Sequence, residues 1–328
     1  MSNKKLYPFK FNPILKPTIW GGNKLVSVLG KPDLGQELIG ESWEISGVKN
    51  NISVVESGDL TGNSLTDLIK TYKSDLLGKK VYKKFGEDFP LLIKFIDANQ
   101  DLSIQVHPDD NLAKQRHDSF GKTEMWYVVD AEEKATLISG FKKATNRQEY
   151  LQYFNSGRVT ELLNYEEVNK DDVYFLPAGR VHTIGKGLLI AEIQQTSDIT
   201  YRIYDFDRVD KDGNTRQLHV DEALDAIDFN YYDDYKTSYR KEGDESLLVS
   251  CDYFIVNCLQ VDSKSNRDYN SIDSFVVLMF IEGCGVIEYS EGSVHYAKGD
   301  TFLIPAMMEN VSIIPDSASK LLEVYLPS

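Results

Sequence analysis

Short runs of alternating or β-branched residues dominate the chain and predict strands. In the first two-thirds the runs cover residues 52–55, 91–96, 103–107, 125–129, 173–176 and 188–193. Beyond residue 245 they recur at 247–249, 254–259, 275–281, 285–289 and 301–304. Gly, Pro and Asp residues separate them, and many short strands with such turns are typical of a barrel or sandwich. The pattern therefore predicts a mainly β protein.

Two stretches have helical rather than strand periodicity. After Ser64, which can cap a helix N-terminus, apolar residues recur at three- and four-residue spacing. The second stretch begins near Thr145, another possible cap. We expect insertions at about residues 64–86 and 145–164 to form a small α-helical subdomain beside the first barrel.

A weak internal repeat indicates two barrels in tandem. The segment DDVYFLPAGRVH at 171–182 resembles GDTFLIPAMMEN at 299–310, since both contain an acidic residue, a short apolar strand and Pro-Ala. Another predicted strand precedes each segment. The tract at 230–245 is polar and tyrosine-rich with no clear period, which is typical of a linker. We therefore divide the chain into domains at 1–235 and 240–328.

Composition and charge narrow the functional classes. The 328 residues are 41% hydrophobic and 27% charged, which is ordinary for a globular protein. A formal net charge of −15 argues against binding nucleic acid or an anionic membrane surface. The first 20 residues contain no apolar signal segment, and the longest apolar run, 275–281, is too short to cross a bilayer. We expect a cytoplasmic protein.

The three cysteines, Cys251, Cys258 and Cys284, lack CxxC spacing and are expected to be reduced thiols.

Four residues form a candidate metal site. Gln105 and His107 are two apart on a predicted strand, so both side chains face the same way. Glu124 begins an apolar strand, and His182 follows the turn Pro-Ala-Gly. Two imidazoles, a carboxylate and an amide oxygen suit a divalent ion with a position left for water or substrate. Two histidines with a carboxylate also describe the triad of non-haem iron oxygenases, so the residues alone leave the metal open.

The other histidines have weaker claims to a site. His117 lies in a charged stretch predicted as a loop, His219 opens a helical segment, and His295 falls on a predicted turn of the second barrel. We expect each to be structural or solvated.

Several longer motifs resemble those of type I mannose-6-phosphate isomerases, especially their shorter bacterial branch. The resemblance covers about residues 7–230, and SIQVHP and TYRIYDF are its most specific signatures. It rests on WGG at 20–22, GESWEIS at 40–46, SIQVHP at 103–108, GKTEMWYV at 121–128, LPAGRVHTIG at 176–185 and TYRIYDF at 200–206.

The resemblance implies an aldose–ketose isomerase that interconverts D-mannose 6-phosphate and D-fructose 6-phosphate. It implies two cupin-type β-barrels (jelly rolls) and one Zn²⁺ per chain, held by Gln105, His107, Glu124 and His182. The family's active-site arginine falls on Arg202. Its pocket residues fall on Trp20, Glu44, Lys94, Ser103, Lys122 and Glu192.

The C-terminal part departs from a metal-binding cupin. Aligned on the Pro-Ala turn, Asn310 replaces His182 and Val276 replaces Glu124, and no QxH precedes that strand. We expect the second barrel to hold no metal and to serve packing or pocket closure.

The implied reaction moves a proton between C1 and C2 through a cis-enediol. It needs a base and stabilisation of developing oxyanion charge. Zinc can act as a Lewis acid, and Arg202 can stabilise the enediolate or the phosphate. The base is either Glu192, whose pKa burial is expected to raise, or a zinc-bound water. Glu192 can instead be an ion-pair partner of Arg202 or Lys122.

Two other functional classes fit the same residues. A non-catalytic sugar-binding or scaffold protein can use the same fold, and an iron-dependent cupin oxygenase can use the same ligands. The isomerase interpretation is preferred because every family motif residue is present. We expect a small-molecule sugar phosphate as the only partner, and a monomer.

Overall fold

The computed structural model describes residues 5–35, 38–209, 212–240 and 243–327, and these are mainly β. The strands up to residue 204 are β1 (Phe9–Lys10), β2 (Ile14–Gly22), β3 (Ile39–Ser46), β4 (Leu91–Ala98), β5 (Ile104–Val106), β6 (Glu124–Ala131), β7 (Thr136–Phe141), β8 (Leu163–Glu167), β9 (Val173–Leu176), β10 (His182–Ile184), β11 (Leu188–Gln195) and β12 (Tyr201–Tyr204). The later strands are β13 (Glu245–Ser250), β14 (Ile255–Val261), β15 (Ser265–Asp268), β16 (Val276–Glu282), β17 (Cys284–Tyr289), β18 (Gly292–Ala297), β19 (Thr301–Ile304), β20 (Asn310–Pro315) and β21 (Ser319–Tyr325).

Short helices connect the strands of the first half. They are α1 (Lys24–Ser27), α2 (Leu65–Tyr72), α3 (Ser74–Leu77), α4 (Lys79–Phe85), α5 (Asp110–His117), α6 (Arg147–Asn155) and α7 (Val220–Ala226), with a 3-10 turn at Val159–Leu162. Every helix in the described ranges is too short or too polar to span a bilayer.

The strands form four antiparallel sheets in two pairs. In the first pair the orders are β2-β3-β4-β11-β6-β9 and β12-β5-β10-β7-β8, and in the second they are β1-β19-β16-β21-β14-β13 and β15-β20-β17-β18. Each pair encloses its own apolar core. Trp126 and Val128 of β6 face the first core with Leu137 of β7, and Leu278 of β16 faces the second with Ile313 of β20.

The strand order confirms the internal repeat. In the two large sheets, the order β3-β4-β11-β6-β9 corresponds to β13-β14-β21-β16-β19. In the two small sheets, the order β5-β10-β7-β8 corresponds to β15-β20-β17-β18. The registers agree as well, because Glu124 pairs with Leu176 as Val276 pairs with Ile304. The alignment on the Pro-Ala turn therefore matches equivalent backbone positions.

The outer faces of the two large sheets share one core. Met125 and Tyr127 of β6 belong to the same apolar cluster as Val277 and Met279 of β16. The N-terminal strand β1 crosses to the second half, where it pairs with β19. Because the halves share this core, the division into 1–235 and 240–328 stays a prediction.

The two helical insertions lie in different places. Helices α2 to α4 pack into the shared core, where the Phe275 amide donates to the Leu77 carbonyl at 3.2 Å. Helix α6 packs instead with the small sheet of the first half. Ser64 caps α2, as expected, and accepts from the Asp67 amide at 3.1 Å.

Four local expectations were wrong. The run 52–55 forms no strand, only isolated bridges at Val54 and Val55. Asn146 rather than Thr145 caps α6, because its side chain accepts from the Glu149 amide. His117 ends helix α5 instead of lying in a loop, since Asp109 caps that helix. His295 lies within β18, not on a turn.

The tyrosine-rich tract, expected to be a linker, packs along the first half of the molecule. Residues 230–240 contain no helix or strand, and Glu245 at the end of the tract opens β13. Its Thr237 amide donates to the Val173 carbonyl at 2.8 Å, and Tyr235 is buried with its hydroxyl 2.8 Å from the Phe141 carbonyl. These bonds fasten the connection to the edge strand β9.

Candidate functional site

Three neighbouring strand ends bring the predicted metal ligands together. His182 opens β10 and pairs in register with Gln105 of β5. His107 follows β5 directly, before Pro108, and Glu124 opens β6. Because Gln105 lies within the short strand β5 and the other three residues lie at or next to strand ends, all four side chains reach one end of the first core.

Distances within the group are those of a small ion-binding cage. The Nε2 atom of His107 lies 3.5 Å from Glu124 Oε2, and Nε2 of His182 lies 3.2 Å from Glu124 Oε1. Ligand atoms of the three residues all lie within 4.8 Å of one another. In the described part of the chain, this is the single group of three His, Cys, Asp or Glu residues that meets that spacing.

Hydrogen bonds behind the histidines orient them as ligands. The Nδ1 atom of His107 lies 2.9 Å from the Ile199 carbonyl, and that of His182 lies 2.8 Å from the Arg180 carbonyl. A carbonyl only accepts, so each Nδ1 carries the proton and each Nε2 keeps a free lone pair toward the cage. Such carbonyl–histidine pairs are the usual support of metal-bound imidazoles.

The buried donors fit a cation. His107 Nε2 and both carboxylate oxygens of Glu124 are buried and have no hydrogen-bond partner. Burial and the charge of Lys122 hold the pKa of His107 well below its usual range, and burial lowers that of His182 to about 4, so both imidazoles are neutral. Burial and the Glu192 carboxylate raise the pKa of Glu124 to about 8. A divalent ion would satisfy all of these atoms at once.

Gln105, the fourth residue predicted as a ligand, lies beside this group. Its Nε2 lies 3.3 Å from His182 Nε2, while its Oε1 accepts from Ser103 Oγ at 3.4 Å. A half-turn of the amide exchanges the two atoms, which places the oxygen toward the histidines.

A pocket of about 200 Å³, partly open to solvent, leads to this group. Six of the residues that the family resemblance indicates line it: Trp20, Lys94, Ser103, Lys122, Glu192 and Arg202. Gln105 also reaches the lining, which connects the pocket with the cage.

Buried charges alternate in sign along one wall of the pocket. Lys94 Nζ lies 3.0 Å from Glu192 Oε1 and 3.4 Å from Glu41 Oε2, and Lys122 Nζ lies 3.6 Å from Glu124 Oε2. Burial alone lowers the pKa of Lys94, but the Glu192 and Glu41 carboxylates more than offset this and raise it. Lys94 therefore stays charged.

Glu192 differs from expectation in its charge state. Its Oε2 accepts from Trp126 Nε1 at 2.8 Å. Burial raises the pKa of Glu192, but Lys94 and Lys122 outweigh burial and leave the pKa lowered, not raised as expected. Its ion-pair partner is Lys94, rather than Arg202 or Lys122.

A hydroxyl and a backbone carbonyl, rather than a carboxylate, hold the guanidinium of Arg202. Its Nε donates to Ser103 Oγ at 3.3 Å, and its Nη1 donates to the Gln217 carbonyl at 2.9 Å. Its backbone amide donates to His219 Nδ1 at 3.1 Å, so His219 has the structural role expected of it. Burial and the charge of Arg216 lower the pKa of Arg202. Among the described residues no carboxylate lies within 4.0 Å of its guanidinium.

Glu44 does not reach the pocket. It is 4% exposed and pairs with Lys31 Nζ at 2.6 Å, while Ser42 Oγ donates to it at 2.5 Å. Lys31 also donates to the Gly299 carbonyl at 2.7 Å, which places this pair between the two halves. A strand alternates its faces, so Ser42 and Glu44 lie opposite Glu41 and Trp43.

Sequence reasoning missed several lining residues: Thr18, Glu41, Trp43, Asp198, Thr200 and Arg216. Glu41 and Trp43 stand in the same GESWEIS motif as Glu44, and alternation along β3 was the signal that could have separated them. Arg216 gave no signal, because its partner Asp205 is eleven residues away and the two meet only in the folded chain.

The second half carries different residues at the equivalent positions. Val276 stands where Glu124 does, and Asn310 opens β20 as His182 opens β10. Glu323 stands where Glu192 does, but Arg267 pairs with both of its oxygens at 2.8–2.9 Å and Tyr269 donates to it at 2.8 Å. The equivalent of Glu192 is therefore paired with an arginine rather than with a lysine.

The fold and the site together define a metal-binding cupin enzyme. Two family models match the chain: "Phosphomannose isomerase type I, catalytic domain" over residues 9–144 and "Mannose-6-phosphate isomerase, cupin domain" over residues 244–319. The chain belongs to the type I phosphomannose isomerase family, and its fold is mainly β as the sequence predicts.

Individual relatives agree along nearly the whole chain. The mannose-6-phosphate isomerase ManA of Bacillus subtilis is 35% identical over 91% of this chain and 93% of its own length. The mannose-6-phosphate isomerase of Streptococcus mutans is 35% identical over 88% of this chain and 89% of its own. A crystal structure of the mannose 6-phosphate isomerase from Bacillus subtilis superposes with a TM-score of 0.88 at 32% identity, covering 98% of this chain and 100% of that one.

The position of Glu44 leads to a prediction about stability. Glu44→Ala leaves the Lys31 ammonium buried without a carboxylate, so we expect the free energy of unfolding to fall by about 3 kcal/mol. The KM of the folded variant should stay near the wild-type value, since Glu44 lies outside the pocket. Chemical denaturation and steady-state kinetics measure the two quantities.

The matched control is Glu288→Ala, which removes a half-exposed partner of Lys264. It should change the stability by less than about 1 kcal/mol. A Glu44→Ala variant of wild-type stability with a raised KM would return Glu44 to the substrate site.

Proposed function

We propose that this chain interconverts D-mannose 6-phosphate and D-fructose 6-phosphate, by zinc-assisted proton transfer through a cis-enediol. The observation that supports this best is the pocket lined by Lys94, Lys122 and Arg202, which adjoins the group of His107, Glu124 and His182 through Lys122 and Gln105. A divalent-metal site beside several fixed cations suits a small anionic substrate with vicinal oxygens. The activity for which the relatives are named supports the substrate, and the residues of the pocket support the chemistry.

Gln105, His107, Glu124 and His182 are the proposed zinc ligands. The bound ion supplies Lewis-acid polarisation of a sugar oxygen at C1 or C2. Neutral imidazoles, one carboxylate and one amide oxygen suit zinc, and the buried oxygens of Glu124 support a cation at this position.

The arginines provide a local positive field on a chain of net charge −15. Arg216 lines the pocket while its Nε donates to Asp205 Oδ2 at 2.7 Å, so that pair is locally balanced. Arg202 has no such carboxylate and keeps its full charge available. We assign Arg202 to the enediolate oxygen that develops during proton transfer.

We assign the proton transfer between C1 and C2 to the Glu192 carboxylate. Its lowered pKa keeps it ionised at neutral pH, which is the state that a base needs. Lys94 holds its Oε1 at 3.0 Å and Trp126 holds its Oε2 at 2.8 Å, so the carboxylate is fixed in the pocket wall. Lys122, buried beside Glu124, offsets negative charge at the same end of the pocket.

A coupled assay tests the function. Mannose 6-phosphate should be converted to fructose 6-phosphate, activity should disappear after chelation, and added zinc should restore it. Glu192→Gln keeps the shape and should abolish both turnover and exchange of the C2 proton with solvent deuterium. Oxygen consumption with an iron-loaded protein and no isomerisation would favour the oxygenase instead. Sugar binding without turnover would favour the non-catalytic alternative.

We further propose that the enzyme acts in the cytoplasm as a monomer, without nucleic acid or membrane partners. Among the described residues, Cys251 and Cys284 are thiols outside any disulfide, which supports a reducing compartment. The strongly acidic charge supports the absence of anionic partners. Gel filtration with light scattering tests the oligomeric state, and a dimeric mass would contradict it.

A further inference from the structure

The segment 121–123 places Lys122 in the pocket and leads directly into Glu124. Its three amides donate to two side chains and a loop carbonyl, and its one backbone bond to a strand runs from the Gln195 amide of β11 to the Thr123 carbonyl at 3.1 Å. The Gly121 amide donates to Asp110 Oδ1 at 2.8 Å, and the Thr123 amide donates to Gln195 Oε1 at 2.8 Å. The Lys122 amide donates to the Pro108 carbonyl at 3.1 Å. The position of Lys122 therefore depends on where Asp110 and Gln195 are held.

Asp110 connects the groups that hold this segment. Besides the Gly121 amide, its Oδ1 accepts from Gln195 Nε2 at 2.9 Å, so the two supporting side chains are bonded to each other. Its Oδ2 accepts from the Tyr253 hydroxyl at 2.8 Å. Asp110 is the first residue of α5, where a carboxylate is also stabilised by the helix dipole.

The contact between the segment and the helix is close. A Cβ atom on Gly121 would lie 2.6 Å from the Asp110 backbone nitrogen, so only glycine fits there. Lys122 itself is 5% exposed. A small displacement of Asp110 is therefore transmitted to the segment rather than absorbed by empty space.

Tyr253 comes from the other half of the molecule. It lies 143 residues beyond Asp110, just before β14, and its ring packs against the shared core. Burial and the Asp110 carboxylate raise the pKa of Tyr253, so the hydroxyl keeps its proton and donates. The first half alone therefore leaves Asp110 Oδ2 without this donor.

We propose that the C-terminal half takes part in the reaction through Tyr253, which acts as a positioning residue for Lys122 by fixing Asp110. This gives the C-terminal half a role beyond packing. The inference rests on the proposed function insofar as Lys122 serves the isomerase pocket.

The first test is Tyr253→Phe in the full-length, zinc-loaded enzyme, which removes only the hydroxyl. With mannose 6-phosphate we expect kcat to fall about tenfold, as for loss of one hydrogen bond to a charged group, and KM to stay within about twofold. The control is Tyr296→Phe, which removes a hydroxyl bonded to Ser319 Oγ at 2.9 Å in the same half. Its kcat should equal that of the wild type.

A double-mutant cycle separates positioning from general loosening. If Tyr253 acts through Lys122, Tyr253→Phe should have little further effect on kcat in the Lys122→Ala background. A full tenfold loss in that background would overturn the proposed route.

Hydrogen–deuterium exchange provides a readout that needs no activity. The peptide covering 120–124 should exchange about tenfold faster in Tyr253→Phe and at the wild-type rate in Tyr296→Phe. If Tyr253→Phe did not fold, kcat and the exchange rate of the peptide covering 120–124 would be measured in Asp110→Asn instead. Wild-type kcat and wild-type exchange in the variant would overturn the inference. An inactive wild-type enzyme would instead refute the proposed function, while the exchange result still decides the positioning role.

Discussion

His107→Ala or His182→Ala should remove the metal and nearly all activity. Each change deletes one of two neutral imidazoles whose Nε2 atoms face Glu124 at 3.2–3.5 Å. We expect zinc content after dialysis to fall from about one equivalent to a small fraction of one. The value of kcat/KM should fall by more than roughly 100-fold, which is the upper range for losing only a residue that orients a ligand. Elemental analysis and the coupled assay measure these effects.

The control for this experiment is His295→Ala, because His295 lies within β18 of the second half. It should keep both its zinc and its turnover. Full zinc occupancy in both His107→Ala and His182→Ala would show that the ion binds elsewhere. Loss of activity with zinc retained would instead mean that these histidines act in the chemistry rather than in binding the metal.

Arg202→Ala should reduce kcat by about 10²–10³-fold with little change in KM. This is the loss expected when one donor to a developing oxyanion is removed. The structure supports such a role, because Ser103 and the Gln217 carbonyl fix the guanidinium while no described carboxylate neutralises it. Steady-state kinetics with mannose 6-phosphate separate the two parameters.

Two further variants sharpen this prediction. Arg202→Lys should recover only part of kcat, since an ammonium cannot reproduce the planar fork of the guanidinium. Arg147→Ala is the matched control, because Arg147 is an exposed arginine paired with Asp225, and its kcat should not change. A raised KM with wild-type kcat in Arg202→Ala would instead identify Arg202 as a phosphate anchor and leave enediolate stabilisation to other groups.

The metal cage could be predicted from the sequence because its determinants are local. Gln105 and His107 share a face through the two-residue period of a strand, and Glu124 is conspicuous as a carboxylate opening an apolar run. The mainly β content and the repeat follow from equally local patterns. Pairing between the strands then brings these residues together near turns that the Pro and Gly residues of the sequence already indicate.

Residues whose role depends on a distant partner were decided by the tertiary structure alone. Burial suggested a raised pKa for Glu192, but Lys94, on a neighbouring strand and nearly one hundred residues earlier, reverses the shift. Glu44 shares a motif with Glu41, and alternation along β3 places it on the other face, but its partner there, Lys31, is supplied only by the tertiary structure.

The relation between the two halves was also beyond local patterns. Their shared core and the bond from Tyr253 to Asp110 join parts of the chain more than one hundred residues apart. Periodicity along a strand shows that a face is apolar but not which surface covers it. The sequence by itself therefore identified most of the strands and the candidate metal ligands, whereas charge states, pocket faces and the contacts between the halves arose only from three-dimensional packing.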